Sequence, residues 1–148
     1  MAPEDAAHLL AKDCPRFDTE PFAPCPPLKE CRVAIVTTAG LHRADHGNFS
    51  LRDTGYRVIS GETSGADLVM SHSSVNFDRT GFQQDINVVF PIDRLREHQA
   101  AGTIGSVARF HYSLMGAGWE PHEIKQTATT IAGMLREDKV NAALLVPV

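Results

Sequence analysis

Arg32-Val-Ala-Ile-Val-Thr-Thr38 is a β-branched apolar run that ends at Ala39-Gly40. Such a run predicts a buried strand that leads into a turn. A second stretch, Val140-Asn-Ala-Ala-Leu-Leu-Val146, reads as the last strand and is followed by Pro147 and Val148. Ala142–Val146 is apolar on both faces, the pattern of a central parallel strand covered by helices above and below. In open α/β sheets the chemistry sits at the carboxyl ends of such strands.

Four shorter segments read as strands: Tyr56–Ser60 closed by Gly61, Asp67–Ser71, Asn87–Phe90 cut by Pro91, and Ala108–Ser113. Residues 41–56 read as a polar, irregular loop. Ile92–Ala101 predicts a helix with Gly102 as its C′ residue. Pro121 suits the first turn of another helix. There Ile124, Ala128, Ile131 and Leu135 recur at steps of four, three and four and form one apolar stripe. Strands alternating with helices predict an α/β domain over 31–148 with a mostly parallel, Rossmann-like sheet and flanking helices. Residues 1–30 hold six of the nine prolines and predict an extended surface arm, with a weak helical stretch at Ala6–Lys12.

Bulk properties exclude several classes. The 148 residues suffice for one cored domain. The formal charge of −4 comes without a basic, aromatic-studded stripe, which argues against nucleic acid. No apolar run reaches the roughly 18–20 residues that cross a bilayer. The acidic start Met1-Ala2-Pro3-Glu4-Asp5 does not resemble a signal peptide, so a cytoplasmic location is expected. Three cysteines, Cys14, Cys25 and Cys31, cannot all pair within the chain and read as thiols of a reducing compartment.

Several residue types could carry chemistry. His72, at the end of a predicted strand, together with Asp78 either orients a substrate and moves a proton or simply caps the strand. A zinc hydrolase of the H-x-H-x-D-H kind needs ligands at 72, 74, 76 and 77, but Ser74, Asn76 and Phe77 stand there, so no metal site is expected. His42 and His46 lie in the predicted loop after the first strand, where a site residue and a solvated loop look alike. His111, in Phe110-His-Tyr112, faces either core or cleft. Thr37, Thr38 and Gly40 end the first strand, either as a plain turn or as backbone and hydroxyl donors for an anionic substrate group. Cys14, Cys25 and Cys31, even with His8 or His42 added, match no common zinc spacing. Met115-Gly116-Ala117-Gly118-Trp119 reads as a lid or as a connector.

Six stretches together carry a resemblance. They are Cys31–His42, Tyr56–Ile59, Gly81–Leu95, Gly102–Ser106, Phe110–Ser113 with Met115-Gly116, and Ala143–Val148. In this order and spacing, from about residue 17 onward, the chain resembles the selenoprotein B family of glycine, sarcosine and betaine reductases, including its D-proline reductase-like branch. The resemblance implies reductive cleavage of a carbon–nitrogen bond in a small amine or amino acid. It implies a selenocysteine or cysteine nucleophile directly after a strand ending like Leu-Leu-Val-Pro-Val, then a Rossmann-like second half. The expected cofactor-like group, that selenocysteine or cysteine, would therefore follow Val148, and no cofactor is expected within the chain. The expectation is a family domain ending at a UGA codon and inactive alone.

By position, His72, Asp78 and His111 are then the candidate catalytic residues, and Thr37, Thr38 and His42 the candidate substrate contacts. The resemblance implies a small amine or amino-acid substrate, other reductase subunits and a thiol or selenol carrier as partners, and the exposed edge of an unfinished sheet predicts a homo-oligomer under either reading. A non-catalytic small-ligand or partner-binding α/β domain remains the alternative.

Overall fold

The computed structural model describes residues 6, 7, 10, 11, 18, 20, 22–74 and 79–148. The elements are β1 (Arg32–Thr37), β2 (Leu41–Arg43), β3 (Tyr56–Ser60), β4 (Leu68–Met70), α1 (Thr80–Gln84), α2 (Ile92–Ala100), β5 (Ser106–Val107), β6 (Phe110–Leu114), α3 (Lys125–Glu137) and β7 (Ala142–Val146).

The apolar run at 32–37 becomes the centre of the main sheet. On one side β1 pairs in parallel with β7 along its length, from Val33 opposite Ala142 to Thr37 opposite Val146. On the other side its partner changes midway. Residues 32–33 pair with β5 and residues 36–37 with β6, both in parallel. β3 closes that side antiparallel to β6. β2 and β4 form a separate antiparallel pair. The sheet is thus mostly parallel, as its sequence pattern predicts, with helices flanking it.

The change of partner leaves Ile35 without a strand opposite its backbone N–H. His111 fills the gap: Nδ1 accepts the Ile35 N–H at 2.9 Å. Its ring is fully buried and meets Phe90 edge to face at 5.5 Å. The ring therefore completes the ladder at a point where a buried N–H would otherwise stay unsatisfied.

Alternation along β1 divides two cores. Val33 and Ile35 join Cys31, Leu41, Ile59, Phe90, Ile92 and Leu95, while Val36 packs on the other face with Tyr112, Leu114 and Ile131 of α3. Each fully buried Leu, Ile or Phe contributes about 1.5–3 kcal/mol. At the amino-terminal pole Arg32 ties the layers together. It donates to the Asp138 carboxylate at 2.6 Å, to the Asp138 carbonyl at 2.7 Å and to the Val107 carbonyl at 3.1 Å. Asn141 brackets the same residue, accepting from Arg32 N–H and donating its own N–H to the Arg32 carbonyl.

Four expectations are corrected. Asn87–Phe90 is not a strand; Ile86–Val88 is a 3-10 turn. Asp85 caps it by accepting from the Asn87 backbone and side chain, and Asn87 accepts the Asp93 N–H at the start of α2. These local bonds consume the groups that a ladder needs. Residues 41–43 are strand rather than loop, because β4 is available to pair with them. The last long helix begins at Lys125, and residues 121–124 form turns, so Pro121 precedes it. Ala142–Val146 lies at the sheet margin: β1 is its one strand partner among the described residues. The central place is taken by β1, which has partners on both sides. Ala6, Ala7 and Leu10 are helical, and the rest of the Ala6–Lys12 expectation falls mostly outside the described residues. No helix among the described residues is long and apolar enough to cross a membrane.

Burial, reinforced by the positive charges of Arg96 and Arg32, pushes His111 down to about 4. The folded protein then binds fewer protons than the unfolded chain between that value and about 6.5, so stability falls as pH drops through this window. Denaturant melts should lose about 1–2 kcal/mol between pH 6.5 and 5. His111→Asn, which keeps an acceptor but does not titrate, should flatten that slope; an unchanged slope would place the effect elsewhere.

Candidate functional site

Because β1, β6 and β7 run in parallel, their carboxyl ends arrive at one pole of the sheet. β1 there runs into Gly40, whose φ of +63° reverses the chain. The Gly40 carbonyl accepts the Ser71 N–H at 2.9 Å, and a Cβ on Gly40 would stand 3.1 Å from the His72 nitrogen. The exit of β4 is thereby drawn to the same pole, and His72 arrives beside the ends of β1, β6 and β7.

Val148 is the residue these ends enclose. Its N–H donates to Thr38 Oγ1 at 2.8 Å, and the Thr38 hydroxyl faces the Val148 carbonyl at 3.4 Å. Gly116, just after β6, fits against this arrangement closely. A Cβ there would lie 2.6 Å from the Val148 carbonyl oxygen, 2.7 Å from the Thr38 oxygen and 2.8 Å from His72 Nε2. The Met115–Trp119 stretch holds this glycine in a fixed turn, with Met115 buried and the Trp119 indole N–H donating to the Met115 carbonyl.

His72 is buried at this junction. Its Nδ1 accepts the Ser74 N–H at 3.2 Å, which leaves the proton of the neutral ring on Nε2, the nitrogen toward Gly116. Burial is the larger cause, and the Arg79 charge the second, holding His72 below the ordinary histidine value against the pull of the Val148 carbonyl. Arg79 donates to the carbonyls of His72 and Ser74 at 2.9 and 2.7 Å. The pole thus offers a neutral imidazole with its N–H turned inward, a hydroxyl and a nearby guanidinium. That set can donate hydrogen bonds and favour an anion.

Thr38, Val146 and Pro147 also border an apolar groove of ≈ 540 Å³ between α3 and the sheet, with Ile124, Ala128 and Leu135 on one wall and Leu114, Ala143 and Leu145 on the other.

Of the residues singled out from sequence, the fold gathers Thr38 and His72 at Val148. Thr37 is buried beneath them, and its hydroxyl accepts the Ala39 N–H at 3.2 Å, a bond that shapes the turn. His42 is buried in β2. Its Nδ1–H donates to the Arg43 carbonyl at 2.8 Å and Nε2 lies 2.6 Å from the Ser71 hydroxyl, so its ring braces the residue preceding His72. His111 lies three residues before the end of β6, roughly 10 Å of strand from the pole. Asp78 is outside the described residues. Gly116 and Arg79 were not picked out by sequence reasoning as site residues. A glycine directly after a strand is a signal for the first; an isolated arginine gives none. No cluster of three or more metal-binding side chains occurs among the described residues.

Gly116→Ala tests the close fit. Three contacts under 3 Å force the Val148 segment off Thr38 and His72. The substitution should cost about 1–3 kcal/mol and shift the Val148 and Thr38 amide resonances; an unperturbed spectrum would contradict the geometry.

The family model described as glycine/sarcosine/betaine reductase selenoprotein B matches residues 12–148. The chain is 37% identical over 120 residues to the D-proline reductase subunit gamma of Acetoanaerobium sticklandii, covering 80% of this chain and 49% of that one. It is 29% identical over 140 residues to the glycine reductase complex component B subunit gamma of Symbiobacterium thermophilum, covering 88% and 32%. With the betaine reductase complex component B subunit beta of Peptoclostridium acidaminophilum it shares 27% over 136 residues, covering 88% and 31%. The chain therefore spans from about a third to half the length of these relatives. No solved structure matches it. A match over nearly the whole chain, joined to a relative more than one-third identical, shows that this protein belongs to the glycine/sarcosine/betaine reductase selenoprotein B family.

Proposed function

We propose that this chain forms the substrate-side part of a selenol- or thiol-dependent reductase acting on small amines or amino acids, of the kind its relatives' names describe. Convergence of Val148 with Thr38, His72 and Gly116 at the carboxyl pole of the sheet carries the reading. A selenocysteine or cysteine following Val148 in a longer protein would emerge at this junction, and it would supply the nucleophile.

The residues present fit such a group. A thiol or selenol reacts as its anion, and a nearby guanidinium lowers its pKa. Arg79, which donates to the His72 and Ser74 carbonyls and whose charge already depresses His72, would supply that guanidinium. Neutral His72, with its Nε2 proton facing Gly116, can hold or pass a proton there, while Thr38 fixes the peptide that delivers the nucleophile. The chain of 148 residues by itself then gives no turnover. Other subunits of a reductase complex and a thiol or selenol carrier are the proposed partners, in a cytoplasmic setting.

A second reading, a non-catalytic binding domain, draws on the apolar groove of ≈ 540 Å³ beside the pole. Calorimetry with glycine, betaine and proline separates the two, since tight binding without turnover in any longer form favours the binding domain.

Two measurements test the main reading. The nucleotide sequence after codon 148 should show an in-frame UGA or a cysteine codon and then an open frame resembling the rest of the relatives; UAA or UAG with no such frame would defeat it. Alternatively, a cysteine followed by two glycines is appended after Val148, and its alkylation at pH 7 is followed by peptide-resolved mass spectrometry. The appended thiol should react about tenfold faster than in the unfolded chain, and Arg79→Met should remove most of the gain. Equal rates with and without Arg79 would sink the assigned role.

A further inference from the structure

β7 carries two features that the described residues leave unmatched. Backbone groups alternate in direction along a strand. The Val146 carbonyl accepts the Thr38 N–H at 3.1 Å, so the N–H and C=O of Ala142, Leu144 and Val146 point toward β1. Those of Ala143 and Leu145 point the other way, where no strand among the described residues pairs. Leu144 and Leu145 lie on opposite faces and are 39% and 69% exposed. Edge strands are ordinarily blunted by charge, proline or a bulge, and Ala142–Val146 has none of these. An interior-type strand therefore stands at a margin, beside an unfilled apolar groove that Leu145 helps to line.

We infer that β7 is an interior strand of the working protein. Polypeptide from the portion of the family outside the matched region, continuous with Val148 or supplied as a separate chain, adds a strand to its free edge and packs apolar side chains into the groove beside α3. The matched region runs to residue 148 and covers only 49% of one relative and 32% of another, so the family holds ample further chain. Pro147 lines the groove and Thr38 holds Val148, which places the start of any such continuation at this margin. A second copy of the chain fits less well. Edge-to-edge pairing about a two-fold axis would set two grooves side by side on one face and fill neither. The inference rests on family membership and not on the proposed redox chemistry.

Amide hydrogen exchange of the isotopically labelled 148-residue chain tests it. Alone, Ala143 and Leu145 should exchange about 100-fold faster than Leu144 and Val146. Mixing with the part of the A. sticklandii subunit outside its matched residues should protect both and give a one-to-one complex. Leu145→Glu should abolish the complex, whereas Leu51→Glu, on an equally exposed leucine, should not. Should that fragment fail to fold, exchange in the intact A. sticklandii subunit decides. Its segment aligned with Ala142–Val146 should exchange about 100-fold more slowly than in this chain. Equal rates overturn the inference, as does protection of Ala143 and Leu145 in the chain alone, whether monomer or homodimer. Protection without turnover would leave the inference standing and count against the reductase reading; turnover with these amides exposed would do the reverse.

Discussion

Every backbone group of β1 must be satisfied inside protein, because the strand lies between two cores and has neighbours along both edges. That requirement organises much of the molecule. One edge is met by β7 in continuous parallel register, and the other by β5 and β6 in succession, with a gap at Ile35 that the His111 imidazole closes. At the amino-terminal pole the same demand recruits the Asn141 amide and, through the Arg32 side chain, Asp138 at the end of α3. Beyond its carboxyl end the pairing continues: Thr38 donates to the Val146 carbonyl and accepts from Val148. The proposed site is an extension of this ladder.

The histidines show how burial and hydrogen bonding sort chemically similar residues. His42 and His111 both have at least one ring nitrogen committed to the fold, the first bracing Ser71 and the second capping Ile35. His72 uses Nδ1 to hold its own loop and turns Nε2 toward the junction of three strand ends. Its depressed basicity, caused first by burial and then by Arg79, keeps the ring neutral near pH 7. A neutral ring next to a guanidinium suits a site in which an anion has to be tolerated, since the guanidinium supplies the positive charge and the ring a hydrogen-bond donor.

Stability and function pull in different directions at β7. Its apolar side chains secure β1 on one edge, yet they leave Leu145 largely exposed and a groove unfilled. For a protein in isolation that arrangement is a liability toward association. Within a family whose relatives are two to three times longer than the region matched here, the same surface is the one inferred above to receive a further strand.

Much of the architecture was legible from the amino-acid sequence alone. The β-branched apolar run at 32–38 and the apolar stretch at 142–146 specify parallel strands, the stripe Ile124–Leu135 specifies an amphipathic helix, and the ordered blocks from Cys31 to Val148 specify the family. These signals are local or linear, so they survive without coordinates. The segment Asn87–Phe90 misled because composition suits a strand while Asp85 and Asn87 satisfy the backbone locally. Strand order decided the rest. Whether Ala142–Val146 is central or marginal depends on which chain supplies a neighbour, and no residue within it records that. Thr38, His72, Gly116 and Val148 are separated by up to 110 positions, and only the parallel register of β1, β6 and β7, with the Gly40–Ser71 bond that draws in the exit of β4, brings them together. Sequence could list polar residues at strand ends, but telling the imidazole that plugs a ladder from the one that faces the site required knowing where the sheet changes partners.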